Sequence, residues 1–309
     1  MRFSTPILLI GFNRLDTTRR VFDVIRAVQP EQLFFAVDAP RPGRHEEIQC
    51  RQVRALIKEV DWDCEVKTFF PAKNMGARLG VSSAISWFFQ QVEEGIILEH
   101  DCLPHPSFFK FCQELLAKYR HDERIMQISG NCFLPDTKDD SYYFSRIPHI
   151  WGWATWRRAW QYYDIDMPSF PEFKRQHRIS RMFQDKLNQE KWEYLFERVY
   201  LKKSDTWDFQ FTYAILGQDG LNIIPHVNLV SNIGFGRDSL HSQDEASPFA
   251  NVPVVAMAFP LKHPAVITVD YQADLHISRY NFSFGWGKYI FRKLGLFGLV
   301  QTIYSKLKI

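Results

Sequence analysis

Long apolar runs are missing from this chain. Near the C-terminus the longest comparable stretch, 294–300, is seven residues, against about 20 for a helix that crosses a bilayer. The opening text, MRFSTPILLIGFNR, holds too short an apolar run for a signal peptide, and Pro6 interrupts its start. Five cysteines (Cys50, Cys64, Cys102, Cys112 and Cys132) are odd in number and form no C-x-x-C pair. That argues against a disulfide framework or zinc ribbon and fits a reducing cytoplasm.

Several catalytic signatures are also absent. The first apolar run is followed by GFNRLD, so there is neither a G-x-G-x-x-G nor a phosphate loop with Lys-Ser/Thr there. No G-x-S-x-G elbow and no H-E-x-x-H pair occurs, which leaves serine hydrolase and zincin chemistry unsupported. Acidic residues stop at Asp274. Beyond it Arg279, Lys288, Arg292, Lys293, Lys306 and Lys308 supply +6, so the net +3 of the whole leaves −3 for residues 1–274. This basic tail, interleaved with aromatic and aliphatic residues, suits either an anionic membrane surface or a helix packed on the domain with its lysines solvated.

What is present is a regular alternation. The 309 residues are 46% hydrophobic, enough for a sizeable core. The apolar run at 6–12 reads as a strand buried on both faces, and 32–37, 64–70 and 95–98 read as the second, third and fourth strands. Between them, 17–28, 46–60 and 81–92 carry helical spacing, with Asp16 as the expected N-cap of the first. Strands separated by such helices predict βαβ units and an α/β, doubly wound, mostly parallel sheet with helices on both faces. A helix is expected at 108–119, strands at 125–129 and 222–230, and a charged helical stretch at 171–203.

Ligands of such sheets bind beyond the carboxyl ends of the strands. Asn13-Arg14, Asp38, Asn74-Met75-Gly76 and Glu99-His100-Asp101 all follow expected strands. Glu99 and Asp101 are one residue apart, so in an extended segment both point the same way, with His100 opposite. Carboxylate oxygens suit Mg²⁺ or Mn²⁺; an acidic turn without a metal is the plainer alternative.

The order of segments adds a resemblance. TPILLIGFNR, FFAVDAPRPG, NMGARLGVSSAISWFF, IILEHDCLPHPSFFKF, QISGN, HIWGWATWRRAW, TWDFQF and NIGFGRDSLH occur in that succession over about residues 5–245. Together they resemble bacterial nucleotide-diphospho-sugar transferases of the GT-A fold, and are similar to the N-acetylglucosaminyltransferase I group. The resemblance implies a Rossmann-like GT-A domain, with a donor half at 1–130, an acceptor and catalytic half at 131–261, and a basic C-terminal extension at 262–309. It implies a metal-dependent inverting transfer of sugar from a nucleoside diphosphate, expected to be UDP, to a saccharide or lipid-linked acceptor in surface polysaccharide synthesis. The expected setting is cytoplasmic, with peripheral contact at the inner membrane face through the basic tail and no nucleic-acid partner.

Residue by residue, the resemblance places Arg14, Asp38, Asn74, Gly76 and Glu99 at the donor, and Asp101 on a Mn²⁺ or Mg²⁺ ion. Arg237 and His241, in a glycine-bearing loop, match positions that reach the diphosphate, and Asp208 matches the catalytic base. Trp151, Gly152 and Trp153 would wall the sugar or acceptor. Plainer readings stand beside these: Arg14 and Asp38 as turn residues, Asp208 as a carboxylate favoured by a helix N-terminus, and the tryptophans as core. The alternatives are a sugar-nucleotide nucleotidyltransferase, disfavoured because GFNRLDTTRR lacks a Gly- and Lys-rich triphosphate loop, and a non-catalytic nucleotide-sugar-binding relative.

Overall fold

A computed structural model describes residues 2–134, 139–236 and 247–281, and the observations below concern those residues. In chain order the first half runs β1 (Ile7–Gly11), α1 (Leu15–Val28), β2 (Gln32–Val37), α2 (Glu47–Ala55), β3 (Glu65–Phe69), α3 (Gly76–Phe89), β4 (Glu94–Glu99), β5 (Cys102–Pro104), α4 (Ser107–Tyr119) and β6 (Ile125–Ser129). There follow β7 (Tyr142–Ser145), β8 (Trp153–Trp156), α5 (Arg157–Trp160), α6 (Phe170–Arg175), α7 (Arg178–Met182), α8 (Lys186–Tyr200), α9 (Asp208–Gly217), β9 (Leu221–Pro225), β10 (Val230–Asn232) and α10 (Tyr271–Asn281).

Eight strands form one sheet in the order β3-β2-β1-β4-β8-β6-β9-β7, and β5 pairs with β10 in a separate ribbon. The β1–β2, β2–β3 and β1–β4 pairs are parallel, as the apolar runs and intervening helices predict. Parallel register continues between β6 and β9, whereas β8 runs antiparallel to both neighbours and β7 antiparallel to β9. The chain builds outward from β1 to β3, then returns to the other side of β1 as β4. That reversal is a topological switch point, the place where open α/β sheets leave a crevice.

Both faces are covered at the centre of the sheet, which is why β1, β2 and the middle of β4 are apolar, whereas β3, at the sheet edge, is part-exposed and carries Glu65 and Lys67. Ile7 and Leu9 of β1 pack with Val21, Phe22 and Ile25 of α1 and with α4 aromatics. Leu8 and Ile10, pointing the other way, pack with Ala84, Ile85 and Phe88 of α3 and with Phe211 and Ile215 of α9.

Local departures have local causes. Arg14, not Asp16, is the N-cap of α1, and no side chain caps it; Asp16 lies in the first turn. The helix expected to reach residue 60 ends at Ala55 and continues as one 3₁₀ turn, Leu56–Glu59. The helix expected from 81 begins five residues earlier at Gly76, because a carboxylate from another loop holds its first amides. The strand expected over 222–230 is two strands, β9 and β10.

By compactness the chain divides into two units. Met1–Ile165 with Asp205–Asp270 form the first, which contains the whole sheet; Asp166–Ser204 with the described residues from Tyr271 onward form the second. In the second, Phe170 packs edge-on to Phe196, and Trp192 stacks on Phe183. No helix among the described residues is long and apolar enough to cross a membrane.

Candidate active site at the end of β4

Three carboxylates mark the switch point. Glu99 closes β4, Asp101 follows two residues later, and Asp208 opens α9. Burial, with the negative charges of Asp101 and Asp208 acting in the same direction, pushes the Glu99 carboxyl up to about 8. Asp208, 109 positions further along the chain, thus acts on the Glu99 carboxyl through its charge.

Asp101 is seated by the segment after β10. Ile233 donates its amide to the Asp101 carbonyl at 2.8 Å, and Gly234 donates its own to Asn232 Oδ1 at 2.8 Å. Gly234 lies so close that a Cβ there would stand 2.1 Å from Asp101 Oδ2. Glycine is required by that approach. Arg14, at the end of β1, donates through Nη1 to the Gly234 carbonyl at 2.8 Å. Its guanidinium therefore ties the β1 connection to the loop that seats Asp101.

Asp38 has a different occupation. Oδ1 accepts the Ala39 amide at 2.8 Å, both oxygens accept the Met75 amide at 3.0 Å, and Oδ2 accepts the Gly76 amide and Asn74 Nδ2, each at 3.1 Å. A carboxylate offers about four lone-pair sites, so these contacts fill it. Burial still raises its pKa, opposed by the amides of Met75, Ala39 and Gly76. Asp38 thus caps α3 and holds Asn74 and Gly76 in place, and in this conformation its carboxylate has no acceptor capacity left for a donor. Asn74 spends its amide on Asp38 and on the Ala39 carbonyl, 2.6 Å away.

The tryptophan segment divides. Trp153 is wholly buried in β8, stacked on Trp207 at 5.7 Å and beside Phe211 and Trp160. It is core, and the expectation that it walls a sugar is corrected. Gly152 is also buried, and the space a Cβ would take is filled by Val230 at 2.8 Å and Leu98 at 3.1 Å; strand packing, rather than an approaching ligand, requires that glycine. Trp151 is half-buried and meets Phe133 and Phe235 edge to face. Arg237 and His241 lie outside the described residues.

Two features were not anticipated. Glu46, buried, accepts from Asn13 Nδ2 at 3.0 Å and from the Arg41 amide at 3.1 Å, and pairs with the Arg41 guanidinium; this clasp joins the connections after β1 and β2. Asp205 Oδ1 accepts the Arg78 amide at 3.3 Å, a second carboxylate on the first turn of α3. Sequence spacing carries no signal for the Asn13–Glu46 and Arg78–Asp205 contacts, whose partners are 33 and 127 positions apart.

Among the described residues no group of three His, Cys, Asp or Glu side chains could hold a metal ion by itself. The donor set at the β4 end is nevertheless all oxygen, and the mutual repulsion of its carboxylates is what a divalent cation would relieve. A divalent cation here would need further oxygen donors from a bound molecule or water.

No family model matches the chain, and no curated protein matches it. Solved structures do. TarS of S. aureus (residues 1–349) superposes at a TM-score of 0.37 with 10% identity, over 53% of this chain and 50% of that one. HddC from Yersinia pseudotuberculosis gives 0.32 with 10% identity over 50% and 78%. A UDP-glucose pyrophosphorylase complexed with UDP-glucose gives 0.29 with 12% identity over 52% and 78%. This chain spans about half of the TarS chain it matches. The superpositions are partial, and the description of the fold rests on this chain's own strand order: a doubly wound, mainly parallel α/β sheet with an acidic cluster at its switch point.

Proposed function

We propose that this protein is an inverting glycosyltransferase that moves a sugar from a nucleoside diphosphate, expected to be UDP, to a saccharide or lipid-linked hydroxyl. The observation that carries the reading is the seating of Asp101, just beyond the end of β4, against Gly234, whose carbonyl accepts from Arg14, with the charges of Asp101 and Asp208 both acting on the Glu99 carboxyl. Asp101, with Glu99 beside it, would hold Mn²⁺ or Mg²⁺. A divalent cation there supplies charge neutralisation for a departing diphosphate. Asp38 keeps Asn74 and Gly76 in the shape that meets the donor, and Arg14 fixes the Gly234 loop against Asp101. Asp208, at the start of α9 and hydrogen-bonded by Thr206 Oγ1, takes the proton of the acceptor hydroxyl. The hydroxyl oxygen forms its bond to the anomeric carbon as the bond to the diphosphate breaks, inverting that carbon.

A nucleotidyltransferase is the second reading, and the β1 connection speaks against it. Phe12-Asn13-Arg14 carries no glycine and one basic side chain, whose guanidinium already serves the Gly234 carbonyl. A triphosphate cradle needs open backbone amides and free cations. Contact of the basic C-terminal residues with an anionic membrane, in polysaccharide assembly at the cytoplasmic face, belongs to the same proposal.

Asp208→Asn tests the assignment. Turnover of the UDP-sugar should fall by about 10²- to 10⁴-fold, while UDP affinity in the presence of Mn²⁺ stays within a factor of two or so. Unchanged turnover would remove Asp208 from the reaction, and product NMR showing a retained anomeric configuration would exclude inversion.

A further inference from the structure

Four aromatic side chains meet at the carboxyl edge from four separate connections. Phe133 follows β6, Trp151 precedes β8, Phe235 follows β10, and Phe249 lies farther along the chain. Phe133 stands edge to face with Trp151 at 5.5 Å and with Phe249 at 5.0 Å, and Trp151 meets Phe235 at 5.8 Å. All four are half-buried, unlike Trp153 and Trp156, which are sealed in the core. All four sit on connections beyond the strands; Trp151 also leans on the main core and anchors the group to it.

Their position is fixed relative to the carboxylates. Phe235 is the next residue after Gly234, which abuts Asp101. Trp151 precedes Gly152, which packs on Leu98, the neighbour of Glu99. In the sheet, β1 and β2 lie on one side of β4 and β8 and β6 on the other. The connections bearing Arg14 and Asp38 are therefore on one flank of the carboxylates, and those bearing Phe133 and Trp151 are on the opposite flank.

We propose that Phe133, Trp151, Phe235 and Phe249 form the binding wall for a pyranose unit of the acceptor. The proposal rests on the transferase reading above and adds the acceptor's chemistry to it. An aromatic face is the negative pole of the ring quadrupole, and a pyranose presents a rigid patch of C–H groups to it. An open-chain polyol presents no such fixed patch. Ligand sites are commonly apolar walls with a few polar groups that set orientation; here the polar groups are Glu99, Asp101 and Asp208, one step away.

Saturation-transfer NMR on the full chain, with UDP and Mn²⁺, tests this with methyl pyranosides of glucose, galactose, mannose and N-acetylglucosamine, and with glycerol and ribitol as open-chain controls. At least one pyranoside should receive saturation at its ring C–H protons, and the polyols should not. Phe133→Ala, Phe249→Ala and Phe249→Leu should each reduce that signal about fivefold or more, with UDP affinity unchanged in the same samples. Phe249→Leu keeps apolar volume without a π face, so it separates stacking from packing. The proposal is overturned if no pyranoside binds, if the substitutions leave binding intact, or if they weaken UDP equally. A wild type that ignores UDP yet binds a pyranoside through Phe249 would keep the wall and remove the transferase reading.

Discussion

Replacing Gly234 by alanine probes how the fold seats Asp101. The added Cβ would stand 2.1 Å from Asp101 Oδ2, 2.7 Å from its Cβ and 2.8 Å from its Cγ, where ordinary contact begins at 3.4 Å. One side must move by about 1.3 Å, several times the roughly 0.2 Å that metal–ligand distances tolerate. The clash involves the root of the Asp101 side chain as well as its tip, and the backbone is pinned there by the Ile233 amide, so rotation of the carboxylate alone does not relieve it. Overpacking of this kind costs about 1–3 kcal/mol. A ligand at about 100 times its dissociation constant stabilises the native state by about 2.7 kcal/mol, which for a chain of 309 residues raises Tm by roughly 4 °C. Thermal unfolding with UDP, with and without Mn²⁺, should show that increment in the wild type and lose the metal-dependent part of it in Gly234→Ala. The apo Tm of the variant separates general destabilisation from the ligand effect. A variant that folds with the full metal-dependent increment would refute the seating of Asp101 by Gly234.

Other expectations follow from single contacts. Asp38→Ala removes the acceptor for the Met75 and Gly76 amides; it should cost about 1–2 kcal/mol and speed hydrogen exchange at those two amides before it affects the rest of α3. Unaltered protection there would dismiss Asp38 as the cap. Trp153→Ala should lower apo stability by about 3–5 kcal/mol, because the ring is core; an apo Tm equal to wild type would return it to the ligand wall. Burial holds His149 neutral and pushes it down to about 4, opposed by its bond to the Asn131 carbonyl. The unfolded chain therefore takes up a proton first as pH falls below about 6.5, and stability should drop by about 2.5 kcal/mol from pH 7.5 to 4.5 through this group. Denaturant midpoints of wild type and His149→Gln at the two pH values measure it, and equal losses in both proteins would contradict it.

Sheet and helix pattern are largely legible in the sequence because the central strands β1 and β2 are buried on both faces and read as nearly unbroken apolar runs. The antiparallel course of β8 is not legible: the run Trp153-Ala154-Thr155-Trp156 has the same apolar character in either direction, and direction is set by pairing with β4 and β6. At the site, Glu99 and Asp101 are visible as carboxylates where an apolar run breaks. Composition cannot show which hydrogen bonds a carboxylate already accepts, and so does not reveal that Asp38 caps the first amides of α3. The tryptophan segment mixes Trp151, half-buried, with Trp153, sealed, because Trp151 lies on the connection that precedes β8 and Trp153 is the first residue of the strand itself. Phe249 and Phe133 carry no local signal at all; only the sheet brings their connections together.

The central claim is a transfer of sugar from a nucleoside diphosphate at the Glu99–Asp101–Asp208 cluster. Its most direct measurement is product identification by mass spectrometry in two reactions with Mn²⁺: UDP-sugars with a pyranoside acceptor, and UTP with sugar 1-phosphates. The account expects UDP and a glycosylated acceptor in the first, abolished in Asp101→Ala, and no pyrophosphate in the second. Pyrophosphate and a nucleotide sugar from the second reaction, or an Asp101→Ala enzyme as active as wild type in the first, would contradict it.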